Sequence, residues 1–219
     1  MSLDLNYLWG NRYALTYDID QQNSAYIMVR IPVNSETFLF RELFKNMGFY
    51  KKADRIEYKC MVDKLPPEIL SPFQWKSQND LNWSNDTLVQ FVQQIMAGTS
   101  DFDQQFPLQN WQYDHHMTHG DNCISIGLIN GLPCALVVVQ TDAQLGWARI
   151  SYMGLTESQR SKGFGRLIHR RAFEMIKDQG ANVYFGYTHL HNVPMRRLLE
   201  SLDSMAVTKC EEWELKLQI

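Results

Sequence analysis

The strongest constraint in this chain lies between residues 146 and 180, where a strand-like run, a glycine-containing basic loop and a periodic helix follow one another. Gly146 to Leu155 is rich in aromatic and β-branched residues and reads as a strand. Phe164, Leu167, Ile168, Ala172, Met175 and Ile176 then recur at helical spacing, and Gln179-Gly180 offers a left-handed stop, so a helix packed on a sheet is predicted. Between them stands Arg160-Ser161-Lys162-Gly163-Phe164-Gly165. Glycines at the mouth of a helix let a ligand approach the backbone, and the unpaired N–H groups and positive dipole end of the first turn suit a pyrophosphate. Arg160, Lys162 and Arg166 add positive charge. The loop is not G-x-x-x-x-G-K-[ST], and it lacks the first glycine of G-x-G-x-x-G, which argues against a nucleoside triphosphatase or a dinucleotide enzyme.

The loop resembles the [Q/R]-x-x-G-x-[G/A] signature of the GCN5-related N-acetyltransferases, the GNAT family. Downstream, Val183 to Thr188 reads as a further strand and leads to Asn192-Val193-Pro194-Met195, which looks like the family's N-x-x-A helix start. Order and spacing agree over residues 120 to 219. The resemblance implies an α+β (α/β/α) GNAT fold, a mixed and mostly antiparallel sheet flanked by helices, with acetyl-CoA as co-substrate and its pyrophosphate on this loop. The coenzyme-binding residues it carries over include Met153, Gly154 and Leu155, where the family has a bulge that turns a backbone N–H toward the thioester oxygen. The others are Arg160, Ser161, Lys162, Gly163, Phe164, Gly165 and Arg166 in the loop, and Asn192 at the last helix.

Acetyl transfer to an amine also needs a neutral amine and a proton for the leaving thiolate. Many members of the family place a tyrosine seven residues after this asparagine, but here Leu199 stands in that slot and donates no proton. The strand from Trp147 to Leu155 carries no Asp or Glu to act as base. Tyr152, Tyr187, His189 and His191 are the candidate catalytic residues in their place, histidine being able to titrate near neutral pH. No cysteine has a paired histidine in a readable motif, so direct attack in a ternary complex is expected rather than an acyl-enzyme. The expected function is an acyl-CoA-dependent N-acyltransferase acting on a primary amine. The rivals are a non-catalytic acyl-CoA-binding sensor and, from another class, a structural interaction protein.

The N-terminal part carries an echo of the C-terminal one. Arg12 to Tyr17 and Ala25 to Ile31 read as a hairpin, Asn34 or Ser35 caps a helix with Phe38, Leu39, Leu43, Phe44 and Met47 as its stripe, and a strand follows from Arg55 to Val62. Asn34 to Phe49 and Asn192 to Val207 have equal lengths, and Met47 falls on Met205. Residues 1–63 therefore resemble the C-terminal half of a GNAT domain, a β-α-β element without a phosphate loop, and residues 64–219 the GNAT domain itself.

Asp63 to Ser77, with Pro66, Pro67 and Pro72, reads as a stiff connection. A helix is expected from Asp86 to Ala97, with Leu88, Phe91, Val92, Ile95 and Met96 on one face. The aperiodic, aromatic stretch 98–120 is the candidate wall of the acceptor pocket. A hairpin follows around Asn130-Gly131. Asp114, His115, His116 and His119 are metal-competent types, but the transfer chemistry needs no metal and none is assigned. Arg166, His169, Arg170 and Arg171 read partly as a solvent-facing helix surface and partly as a contact to the coenzyme's ribose phosphate.

A net charge of −3 argues against a nucleic-acid partner, and no run reaches the roughly 18 apolar residues of a membrane span, so a cytoplasmic protein with no membrane contact is expected. Cys60, Cys123, Cys134 and Cys210 are widely spaced, which favours reduced thiols. An exposed edge strand on a splayed sheet is compatible with a homodimer.

Overall fold

The computed structural model describes residues 14–19, 24–33, 37–63, 70–99, 123–142 and 146–218. The chain divides into two compact units that do not follow chain order. The first comprises Met1–Tyr58, Tyr187–Arg196 and Ala206–Ile219, and the second Lys59–Gly186 and Arg197–Met205.

In the first unit β1 (Ala14–Ile19) and β2 (Ser24–Pro32) form the expected antiparallel hairpin, and β2 pairs antiparallel with β9 (Met205–Gln218) in a register running from Ser24↔Gln218 to Pro32↔Cys210. Next to β9 lies β3 (Tyr50–Met61), giving the order β1-β2-β9-β3. Between β2 and β3 stands α1 (Thr37–Asn46), whose Thr37 hydroxyl donates to the Pro32 carbonyl at 2.8 Å. Val29, Ile31, Phe44, Phe49 and Trp213 form the core, and Phe44 meets the Phe49 ring at 5.0 Å and the Trp213 ring at 6.0 Å. The stripe expected on α1 is corrected here. Phe38 and Leu39 are 65% and 69% exposed, because the helix turns Phe40 and Phe44, four residues apart, toward the sheet.

The second unit holds the order β8-β7-β6-β5-β4. β4 (Gln74–Lys76) lies inside the stretch read as a connection, since its backbone pairs antiparallel with β5 (Ile124–Ile129) from Gln74↔Leu128 to Lys76↔Ile126. Trp75 packs there over Gly127, where a Cβ would come within 2.8 Å of the indole. The β5–β6 hairpin turns at Asn130 and Gly131, both with positive φ, as that dipeptide favours, and β6 covers Leu132–Asp142. β6 pairs antiparallel with β7 (Trp147–Leu155), and β7 pairs parallel with β8 (Val183–His189) through Trp147↔Val183 and Ala148↔Tyr184.

Two helices pad this sheet. α2 (Asn85–Met96) starts where the Ser84 hydroxyl accepts the Thr87 N–H at 3.1 Å, and it buries Leu88, Phe91, Val92 and Ile95 against Ile126, Leu136 and Val138. Each such side chain contributes roughly 2 kcal/mol of gross hydrophobic stabilisation. α3 (Gly165–Asp178) buries Leu167, Ile168, Ala172, Phe173, Met175 and Ile176. α4 (Val193–Glu200) follows β8. All four cysteines are free, and among the described residues no helix is long and apolar enough to cross a membrane.

Candidate functional site

The junction of β7 and α3 has the local geometry of an anion cradle. After β7 a single 3₁₀ turn, Glu157–Gln159, leads into a loop in which Ser161 and Gly163 have φ of 60° and 81°. Gly163 is the position where a left-handed backbone removes any cost of lacking a Cβ, and a Cβ built there would meet nothing within 4 Å. Backbone bonding resumes only when Leu167 and Ile168 donate to the Phe164 carbonyl at 3.0 and 3.1 Å. Among the described residues the N–H groups from Ser161 to Arg166 have no backbone acceptor. They form the positive end of a 14-residue helix whose first turn holds no acidic side chain.

The three cations predicted for this loop have different positions. The Arg160 guanidinium is committed to the protein: Nε donates to the Leu155 carbonyl at 3.1 Å, and Nη2 donates to the Ile95 and Ala97 carbonyls at 2.6 and 2.9 Å. It caps the end of α2 and ties it to the end of β7, a favourable use of a cation at a helix C-terminus. Lys162 is exposed and makes one weak contact, 3.3 Å to Gln159 Oε1. Arg166 is exposed, with no ion pair or side-chain hydrogen bond among the described residues.

Farther along α3 the charge run is corrected. His169 is fully buried, its ring 4.5 Å from Phe173 and 5.7 Å from Tyr184, neither nitrogen has a partner, and burial lowers its pKa to about 3. Arg170 pairs with Glu174 at 2.9 Å, and Arg171 donates to Ser125 Oγ at 3.1 Å.

The strand before the loop carries its irregularity at a different residue from the one expected. Val138 pairs with Tyr152 and Val139 with Ile150, so Ser151 is the extra residue of a bulge. Met153, Gly154 and Leu155 continue in register opposite Val137, Leu136 and Ala135. Gly154 is required by packing instead: a Cβ there would collide with Ile95 Cγ2 and sit 3.0 Å from the Tyr152 hydroxyl. Tyr152 itself is half-buried against the α2 cluster. Only the first residues of β7 and β8 are paired, which leaves the backbone from Arg149 to Leu155 without a β8 partner among the described residues. Leu199, in the slot where a phenol was sought, is buried.

In the first unit, Asn192 Oδ1 accepts the Met195 N–H at 3.2 Å, so this side chain is the cap of α4. His191 is exposed and His189 half-buried. The Tyr187 hydroxyl donates to Glu57 Oε1 at 3.1 Å, and the Arg30 guanidinium lies 5.0 Å from the Tyr187 ring centre. Partial burial, then the Glu57 carboxylate, push the Tyr187 hydroxyl above the usual phenol range, so it keeps its proton and does not act as a base near neutrality. Sequence reasoning did not pair Tyr187 with Glu57. The available signal was the alternation of charged Arg55, Glu57 and Lys59 with buried Ile56, Tyr58 and Cys60 along β3. The stretch 101–120, with His115, His116 and His119, lies outside the described residues.

Neither a family model nor a curated protein matches the sequence. Solved structures match in three dimensions. A GCN5-related N-acetyltransferase from Sphaerobacter thermophilus superposes with a TM-score of 0.60 at 11% identity, covering 89% of this chain and 61% of that one. The fold is that of the GCN5-related N-acetyltransferases. The tandem GNAT protein from the clavulanic acid biosynthesis pathway, without AcCoA, gives 0.56 at 9% identity over 93% of this chain and 63% of that one. A GNAT-family acetyltransferase from Colwellia psychrerythraea gives 0.54 at 14% identity, over 86% and 64%. The chain spans about three fifths of the length of the first two of these GNAT structures. Within the GNAT fold, the loop singled out by its glycines is the β7–α3 junction.

Proposed function

We propose that this chain is an acyl-CoA-dependent N-acyltransferase, transferring acetyl from acetyl-CoA to a primary amine by direct attack in a ternary complex. The observation that carries the reading is the row of unpartnered N–H groups from Ser161 to Arg166, opened by Gly163 and flanked by the exposed cations Lys162 and Arg166. A pyrophosphate fits that donor set, and the helix dipole favours its charge. Arg160 holds the loop in shape through Leu155, Ile95 and Ala97 and makes no contact with an anion in this role. When bound, acetyl-CoA supplies the acyl group as a thioester. The chain's own contribution is then orientation, through the β7 backbone groups around the Ser151 bulge that β8 leaves without a partner.

A second reading, a coenzyme-binding sensor without turnover, is favoured by the buried aliphatic Leu199. Calorimetric titration of acetyl-CoA into wild type and Gly163→Glu tests the shared part. Binding is expected in the first and a loss of at least a hundredfold in the second, with Gly163→Ala as the control for backbone strain alone. A folded wild type that does not bind acetyl-CoA would sink both readings. Amine-dependent release of free CoA then separates enzyme from sensor.

A further inference from the structure

The second unit holds a cavity of about 590 Å³ whose lining includes none of the loop residues from Arg160 to Arg166. It opens between α2, the β5–β6 turn and the 3₁₀ turn that follows β7. Small-molecule sites occupy roughly 300–1,000 Å³, so the space is sufficient for one. Trp83 and Phe91 form its aromatic part, edge to face with ring centres 5.2 Å apart. Beside them α2 contributes Thr87, Gln90 and Gln94, at i, i+3 and i+7 and hence on one side of the helix. Asn130, Thr156, Ser158 and Gln159 come from the facing turns, and the Thr156 N–H donates to the Cys134 carbonyl at 2.9 Å.

No lining residue carries a charge. The one titratable group, the Cys134 thiol, donates to the Gly127 carbonyl at 3.5 Å, and burial raises its pKa, so it stays neutral. A phosphate, carboxylate or ammonium group entering here would lose hydration without gaining a counter-charge. The polar groups of the lining are nevertheless uncommitted. Just outside the cavity, Gln78 Nε2 donates to the Trp83 carbonyl at 3.2 Å and to Asn85 Oδ1 at 3.0 Å, and Ser77 and Asp80 bond each other. The Gln90, Gln94 and Asn130 amides and the Trp83 indole N–H, by contrast, have no hydrogen-bond partner among the described residues. A wholly apolar ligand would strip water from these groups and return no bond. A peptide backbone seeks an open strand edge, and here β5 and β6 close on each other through Ile129↔Leu132. A hydroxyl both donates and accepts, as a side-chain amide does, and the C–H face of a polyhydroxylated ring suits an indole.

We propose that this cavity binds a neutral polyhydroxylated ring of monosaccharide size, held by Trp83, Gln90, Gln94 and Asn130. The site stands independently of the acyltransferase reading, because it shares no residue with the loop from Arg160 to Arg166.

The test follows the tryptophan indole N–H signals of the isotope-labelled full chain by NMR, that of Trp83 being assigned with Trp83→Phe. Glucose, xylose and myo-inositol are titrated into wild type and into the double variant Gln90→Ala/Gln94→Ala, whose replaced side chains are exposed and leave the core untouched. At least one of the three should shift the Trp83 signal saturably in wild type and bind at least tenfold more weakly to the double variant. Glucuronate and the ammonium form of glucosamine should bind at least tenfold more weakly than the best neutral ring. Gly163→Glu, which disables the anion cradle, should leave ring binding within about twofold of wild type, whether or not acetyl-CoA binds the parent protein. No binding by any of the three to folded wild type, equal binding to the double variant, equal binding of the charged rings, or a stronger response to the neutral amide N-acetylglycinamide would each overturn the site. So would loss of ring binding in a folded Gly163→Glu, which would place the ring at the loop instead.

Discussion

The two units withdraw polar groups from water in opposite ways. In the first, Glu211, Glu212 and Glu214 on β9 are almost fully buried, and each is matched by side chains from neighbouring elements. Burial alone pushes the Glu212 carboxyl up, but Arg30 and Arg55 together outweigh it and hold it at about 2. For Glu211, Arg41 and Lys51 likewise outweigh burial and lower its pKa. In the second unit His169 is buried with no hydrogen bond and no counter-ion among the described residues, and it stays neutral. A charge persists in a core when its partners are built in, and where they are not the group discharges. Both solutions fail in acid, over different ranges.

The largest effect expected is from breaking the Glu212 network. Glu212→Ala leaves Arg30 and Arg55 facing each other without their carboxylate and should cost about 3–5 kcal/mol in urea denaturation. Next is the pH dependence that tells the units apart. His169 has a folded pKa near 3 against 6.5 when exposed, so its contribution is complete above pH 6.5 and lost as pH falls toward 3, by up to about 4 kcal/mol. Glu212, near 2 against 4.5, contributes fully above pH 4.5 and loses that contribution toward pH 2. Thermal melts of His169→Phe should therefore flatten between pH 4.5 and 6.5. An unchanged profile there would remove the contrast.

Arg160→Ala, which strips Ile95, Ala97 and Leu155 of a shared donor, should destabilise by about 1–3 kcal/mol. A loss of acetyl-CoA affinity from Arg160→Ala with no loss of stability would return this residue to the anion. Ser84→Ala removes the cap of α2 and should cost about 1 kcal/mol by the same urea assay. The smallest change is Lys45→Ala, whose exposed partner is Glu42, expected within about 0.5 kcal/mol of wild type. A larger loss would mean that surface pairs matter in the first unit too.

Elements whose signal is local were legible in the sequence. The α3 stripe, the Asn130-Gly131 hairpin and the glycine loop each depend on residues a few positions apart. Where several residues were equally plausible, the reading missed. Phe38 and Leu39 are as apolar as Phe40 and Phe44, and only the position of the sheet selects which pair is covered. Gln74 to Lys76 is too short and too near prolines to read as a strand, and it becomes one because β5 offers an edge. Arg160, Lys162 and Arg166 look alike in one dimension, yet only the carbonyls at the end of α2 decide that the first is a structural clamp.

The sequence by itself determined a strand, a glycine-opened loop and an amphipathic helix in that order, because backbone freedom and residue periodicity are properties of neighbours in the chain. Tertiary structure alone decided the fate of the charges. Glu57 and Glu212 are the same residue type in similar strands, and what separates them is that two arginines distant in sequence meet one and not the other. Coulomb energy and desolvation depend on distances through space, which a single sequence does not state.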